Sequence, residues 1–279
     1  MTNKELQKEI LSKAIFSREF EKDLYNRIKK GLFKYPIYLS YGQEYIAASL
    51  ASYIKKYSSS NPNIFIQHRG HSTYLSFGGN LELLIKELLG EKDGCANGMG
   101  GSASIQSLAK NIYGHDGMMG SNAPISVGSC FSDKKPTICF LGDAAAEEDY
   151  FLPSVGWAVT KDLPMLFVIE DNNYSILTEK KVRRNWELSK IASAMNVEAY
   201  DIDDNPRLII KALKNVFKKP LLLNIRTNRY FWHAGAGIDN KNQKTQHDSF
   251  SKFFKQSDIE KFETKYKKKI KKAWDKCLN

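Results

Sequence analysis

Two polar clusters, Gly142-Asp143-Ala144 and Asp171-Asn172-Asn173-Tyr174, each follow directly on an apolar run, residues 137–141 and 165–169. Asp and Asn side chains beside a backbone carbonyl are hard oxygen ligands suited to Mg²⁺ or Ca²⁺. A small residue after Asp143 lets the backbone approach a diphosphate closely. These types in this order describe a metal–diphosphate site. Each also has a plainer reading, Asp143 as the N-cap of a following helix and Asn172 as a turn former.

The elements that must position them are legible from periodicity. Both apolar runs read as short buried strands, and in an open parallel sheet ligands bind beyond the carboxyl ends of strands. The alternation continues with helix 147–160, helix 184–195, strand 197–201, helix 206–217 and strand 221–226. Strands alternating with helices predict an α/β fold, a mostly parallel sheet with helices on both faces. Upstream, Leu6, Ile10, Ala14, Ile15, Phe20, Leu24 and Ile28 recur at helical spacing and predict a helix over 3–30. A helix over 43–57, a strand over 63–67 and a helix over 81–90 follow. Residues 94–120 are glycine-rich and irregular, and so long a loop in a compact domain is usually functional. Neither an internal repeat nor a low-complexity linker interrupts the chain. The expectation is one domain over residues 1–279, with helix 3–30 and a helical tail over 246–276 packed on it.

Composition narrows the class. The chain has 279 residues, 42% of them hydrophobic, enough for a sizeable core. Net charge is +11, but only 8 of the 42 basic residues are Arg, and much of the excess lies in the lysine run of residues 265–272. No recognition motif accompanies it, so a solvated lysine face is expected rather than a nucleic-acid surface. No run of about 18 apolar residues predicts a membrane span. The start of the chain lacks a signal-peptide pattern, so the expected location is cytoplasmic. Cys95, Cys130, Cys139 and Cys277 lack metal-type spacing and read as reduced structural thiols.

Further motifs stand in order along the chain. They are Tyr38-Leu39-Ser40-Tyr41-Gly42-Gln43-Glu44, His68-Arg69-Gly70-His71, and a glycine loop from Gly94 to Ser102. Residues 113–124, Leu163-Pro164, Glu170 through Tyr174, and Arg229-Tyr230-Phe231-Trp232-His233 complete the series. From about residue 38 to 235 the pattern resembles the alpha subunit of the thiamine-diphosphate-dependent component of 2-oxo acid dehydrogenases, of pyruvate, branched-chain or acetoin type. That resemblance implies a thiamine-diphosphate-binding fold. It implies that Asp143, Asn172 and the Tyr174 carbonyl hold Mg²⁺, and that Gly142, Ala144 and Ala145 approach the diphosphate. His68 and Arg69 would contact phosphate, and Gly117 and Met119 would offer main-chain contacts to the aminopyrimidine. His233 would reach the diphosphate end and the active-site mouth, and His71 the active-site channel, both as catalytic candidates. Structural alternatives are a surface ion pair for Arg69, a loop histidine for His233 and a core histidine for His71. Glu147, Glu148 and Asp149 more simply supply charge to a helix N-terminus.

The resemblance also implies partners. In that family the acid facing the pyrimidine belongs to a beta subunit, so an alpha2beta2 heterotetramer is expected, acting on a 2-oxo acid with a lipoyl acyltransferase as acceptor. Alternatives are a split transketolase-like or carboligating enzyme, or a fold-retaining regulatory protein. Four departures stand out. Ala144 replaces a glycine, which is costly only if φ there is positive. Asp171 replaces an Asn and adds an anion. Tyr38 and Ser104 stand where histidines are usual, which bears on substrate choice. The N-terminal segment is also short for a pyruvate-type subunit.

Overall fold

The computed structural model describes residues 3–58, 61–235, 237–239 and 244–278; the reading of the N-terminus at Met1 and Thr2 lies outside them. Helix α1 (Asn3–Lys29) is followed by α2 (Glu44–Tyr57), β1 (Asn63–Phe65), α3 (His71–Ser76), α4 (Leu81–Leu89) and β2 (Ile112–Tyr113). Then come α5 (Asn122–Asp133), β3 (Thr137–Gly142), α6 (Phe151–Thr160), β4 (Met165–Asp171) and a two-stranded ribbon of β5 (Tyr174–Ser175) and β6 (Thr178–Glu179). The chain continues through α7 (Lys180–Arg183), α8 (Leu188–Ala194), β7 (Glu198–Asp203), α9 (Pro206–Ala212) and β8 (Leu221–Arg226). It closes with α10 (Gln246–Phe250) and α11 (Gln256–Leu278).

Six strands form one sheet in the order β2-β1-β3-β4-β8-β7, every neighbouring pair parallel. The α/β expectation therefore holds. Residues of β3 and β4 alternate between two cores. Ile138, Phe140, Leu166 and Val168 enter one, while Cys139, Leu141, Phe167 and Ile169 enter the other. Burial on both faces explains why these strands read as unbroken apolar runs. All four cysteines are free thiols, and among the described residues no helix is long and apolar enough to cross a membrane.

Some boundaries move. Helix α6 begins at Phe151 rather than 147, because Ala145–Glu147 is a 3₁₀ turn and Glu148 is extended. The C-terminal tail is two helices separated by a 3₁₀ turn at Ser251–Phe253; a capping box of Thr245 and Asp248 starts the first. Helices α1 and α11 pack together, with Ser12 Oγ and Tyr266 Oη 2.7 Å apart and Phe16 against the Tyr266 ring at 4.9 Å. Strand β2 lies within the glycine-rich segment, where two residues are too few to show a period.

The first part of that segment is organised by a single carboxylate. Glu87, fully buried on α4, accepts backbone N–H bonds from Ala96 at 2.6 Å, Gly98 at 2.9 Å, Gly100 at 2.7 Å and Gly101 at 3.0 Å. Gly94 is required for this contact, since a Cβ there would lie 2.6 Å from the Glu87 carboxylate and 2.7 Å from its backbone. Gly98 and Gly101 have positive φ, so consecutive amides can turn inward onto one anion. Replacing Glu87 by Ala strands several buried donors and should cost roughly 3 kcal/mol or more. Urea denaturation with amide exchange across residues 96–101 checks this; wild-type stability and protection in E87A would refute it.

Candidate active site

Strand order reverses between β1 and β3: the chain leaves β1 for β2 on one side and β3 for β4 on the other. This switch point opens a crevice beyond the carboxyl ends of the two strands. The segment after β1 carries Gln67, His68 and Arg69; β3 ends in Gly142 and Asp143. Their neighbours β4 and β8 lead into Asn172, Tyr174, Arg229 and His233. All of these line one cavity of about 330 Å³, together with Tyr38, Ala103, His115, Gly117, Met119, Ala144, Ala145, Glu148, Ser175 and Ile176. A Cβ at Gly142 would meet the Gln67 amide oxygen at 3.6 Å, an ordinary van der Waals contact, so the crevice floor there has room for a small side chain.

The cavity thus gathers Asp143, Asn172, Tyr174, Gly142, Ala144, Ala145, His68, Arg69, Gly117, Met119 and His233. His71 is the exception. Its ring is fully buried, with Nδ1 2.9 Å from a Glu21 carboxylate oxygen and Nε2 3.0 Å from Ser102 Oγ. Both nitrogens are occupied by protein and the ring does not line the cavity, so the structure corrects its placement at a channel. Its role is positional, because Ser102 Oγ in turn accepts the Tyr38 N–H at 2.9 Å and so holds a cavity wall.

Two departures resolve on geometry. Ala144 has φ −72° and ψ −36°, ordinary helical angles, so no glycine is required there. Asp171 is turned out of the cavity wall. It accepts bonds from Lys180, from Asn224 Nδ2 at 3.1 Å and from the Asn173 N–H at 3.1 Å. Burial pushes its carboxyl up, but these partners bring it below the usual range. The Asn172 side chain accepts the Tyr174 N–H at 3.2 Å, closing a turn, and the residue also lines the cavity.

Asp143 is buried. Burial, then the like charge of Asp171, raises its carboxyl above the ordinary range, against the pull of Arg183, which ion-pairs with it. Arg183 also lies 3.2 Å from Glu147, and Arg184 lies 3.4 Å from the same carboxylate. Arg69 donates to the Leu39 carbonyl at 3.0 Å, and to His233 at its carbonyl (3.1 Å) and Nδ1 (3.3 Å). Burial and Arg229 push its guanidinium down to about 10. Burial and the two arginines hold His233 at about 4, and burial and Arg69 hold His68 well below the ordinary histidine value. The cavity sets two guanidiniums and weakly basic imidazoles beside the carboxylates of Glu148 and of Asp143, which Arg183 pairs; the guanidiniums suit an anionic ligand and the free carboxylate oxygens a cation.

Sequence reasoning passed over Gln67, His115, Glu148, Arg183 and Arg229 as site residues. Arg229 lay within a recognised motif, and His115 stood inside the glycine-rich segment between Gly114 and Gly117. Arg183 carried no local signal beyond the Arg183-Arg184 pair.

Residues 12–273 match the family described as the dehydrogenase E1 component. The chain belongs to that family. It is 28% identical over 203 residues to the alpha subunit of the mitochondrial pyruvate dehydrogenase E1 component of Solanum tuberosum, covering 69% of this chain and 51% of that one. It is 31% identical over 168 residues to the alpha subunit of the acetoin:2,6-dichlorophenolindophenol oxidoreductase of Cupriavidus necator, covering 58% and 49%. This E1-family chain therefore spans about half the length of those relatives. Transketolase from Campylobacter jejuni shares the fold, with a TM-score of 0.61 at 15% identity over 99% of this chain and 49% of that one.

Glu170, buried beside Asp171, accepts a bond from the Gln67 amide, and burial raises its carboxyl to about 7. A carboxyl raised on folding supports the fold below its unfolded value near 4.5 and loses that contribution as pH rises through 7. Glu170→Gln keeps an acceptor for Gln67 without the charge. Relative to wild type it should therefore gain up to roughly 3 kcal/mol between pH 5 and pH 8. Denaturant titrations at the two pH values read this directly; parallel profiles would show that Glu170 titrates normally.

Proposed function

We propose that this E1-family chain is the diphosphate-holding alpha subunit of a thiamine-diphosphate-dependent 2-oxo acid dehydrogenase. The observation that carries the reading is the convergence of Asp143 and Asn172, from adjacent strand ends, on a crevice lined by Arg69 and Arg229. Among the described residues no three His, Cys, Asp or Glu side chains gather into a metal site. A cation here would need ligands from the bound molecule, as Mg²⁺ commonly takes from phosphates. The buried Nε2 atoms of His68 and His115 have no protein partner, and a phosphate-bearing ligand would supply acceptors. The residues present therefore fit Mg²⁺ with thiamine diphosphate.

In this reading Asp143, the Asn172 side chain and the Tyr174 carbonyl hold Mg²⁺, and Arg69 neutralises the diphosphate. Ala144 and Ala145 bring backbone to it. The Gly117 N–H donates to His115 Nδ1 at 2.9 Å and the Met119 carbonyl accepts from Tyr150, so main-chain contacts to the aminopyrimidine fall to the Gly117 carbonyl and the Met119 N–H. Thiamine diphosphate, when bound, supplies the carbon nucleophile and electron sink for decarboxylating a 2-oxo acid. His233 stands at the cavity as a neutral donor: its Nδ1 accepts from Arg69, which leaves the proton on Nε2. Arg183 would have to release Asp143 to Mg²⁺ or remain as an outer partner.

The acid that promotes the pyrimidine is assigned to a beta subunit. Exposed apolar side chains support a covering partner: Met118, Met119, Ile176, Leu177, Val182 and Trp232 are all at least 40% exposed. The assembly proposed is alpha2beta2, with a lipoyl acyltransferase as acceptor.

Asp143→Ala in the complex with its beta subunit should weaken Mg²⁺-dependent thiamine diphosphate binding by at least roughly 100-fold. Calorimetric titration reads this, and unchanged affinity in a folded variant would reject the metal assignment. With pyruvate as substrate, the complex should reduce a lipoyl domain. Carbon–carbon bond formation with an aldehyde and no lipoyl reduction would favour a carboligating enzyme.

A further inference from the structure

His115 lines the cavity with a ring nitrogen whose acceptor has not yet been identified. His115 sits between β2 and α5, and its ring is buried. The loop that carries it is fixed on both sides. A Cβ at Gly114 would meet the Ile105 carbonyl oxygen at 2.8 Å, and Gly117 adopts φ +100°. The Gly117 N–H donates to His115 Nδ1 at 2.9 Å. That bond occupies the Nδ1 lone pair, so the neutral ring carries its proton on Nε2 by hydrogen-bond accounting. Nε2 is buried, belongs to a ring that lines the cavity, and has no partner among the described residues. The ring stands edge-on to His68 at 5.8 Å, and His68 Nε2 is also buried without a partner. Burial lowers the His115 pKa against opposing pulls from Asp116 and the Met118 backbone, so the neutral form prevails at pH 7.

A buried N–H without an acceptor is disfavoured unless a ligand supplies one. Arg69 and Arg229 line the same cavity, with Glu148 and with Asp143, whose charge Arg183 offsets, and the two guanidiniums favour an acceptor that is anionic. We propose that His115 donates a hydrogen bond from Nε2 to an anionic oxygen of the ligand bound in this cavity. Resting on the reading of a thiamine diphosphate and 2-oxo acid site, two oxygens qualify: one on the cofactor's diphosphate, or one on the substrate carboxylate. A fixed loop and a fixed tautomer make the donor preorganised, which suits a residue that sets ligand position.

The test uses ¹⁵N-histidine-labelled protein in its complex with the beta subunit, with His115→Phe to assign the resonance and His115→Gln to restore a donor. Inorganic pyrophosphate with Mg²⁺ is one probe and pyruvate the other. The expected result is an Nε2–H resonance of His115 that moves on adding one of them. H115F should weaken that probe's binding by roughly 10- to 100-fold, as for a hydrogen bond to a charged group, with most of the loss recovered in H115Q. A response to pyrophosphate places the oxygen on the diphosphate; a response to pyruvate places it on the substrate. A resonance that neither probe moves overturns the proposal, whether or not the variants fold. Thiamine diphosphate binding by wild type is scored separately. Pyrophosphate binding through His115 without thiamine diphosphate binding removes the cofactor reading and leaves the donor in place.

Discussion

A carboxylate buried at the end of a central strand must find a cation, and Asp143 is that carboxylate. The parallel sheet puts it beside the end of β4, where Asp171 adds a second negative charge. Isolated in a low-dielectric interior, the pair would be strongly unfavourable. The protein answers with a short basic segment: Lys180 meets Asp171, Arg183 meets Asp143 and Glu147, and Arg184 also reaches Glu147. The ribbon of β5 and β6 leads directly into those cations. Site electrostatics and the course of the chain after β4 are thus one problem with one solution.

Behind the cavity wall, further buried acids hold the chain through hydrogen bonds. Glu87 gathers backbone amides and so gives shape to a segment that has little regular structure. Glu21 accepts from Ser40 Oγ at 2.9 Å and faces His71, which reaches Ser102 and through it the backbone of Tyr38. The N-terminal helix therefore reaches the Tyr38 edge of the cavity through four hydrogen-bonded groups without a side chain of its own in the cavity lining.

Much of the sheet was legible because β3, β4 and β8 are buried on both faces and read as unbroken apolar runs. Strand β2 was hidden because two residues carry no period, and its pairing with β1 is set by the sheet. The start of α6 was misplaced because Glu147 and Glu148 look like first-turn acids, whereas Glu147 is an ion-pair partner of two arginines. At the site, Asp143 and Asn172 were legible from their position at strand ends, whereas His68 and Arg69 were legible only through the family resemblance. His71 and His115 were not separable in sequence. One turns inward because Glu21, fifty positions earlier, faces it; the other reaches the cavity because Gly117 holds its ring. Arg183 was invisible for the same reason, since its partner lies 40 positions away.

The helical angles at Ala144 carry a consequence for the family's boundaries. Where a loop keeps an ordinary backbone, the requirement for glycine is one of room, and an alanine methyl that finds room meets it. A signature that insists on glycine after the aspartate would pass over chains built this way while their cavity-facing backbone is unaltered. Diversity at that position is then a record of how much space the neighbouring side chains leave, and it says little about whether the loop still binds.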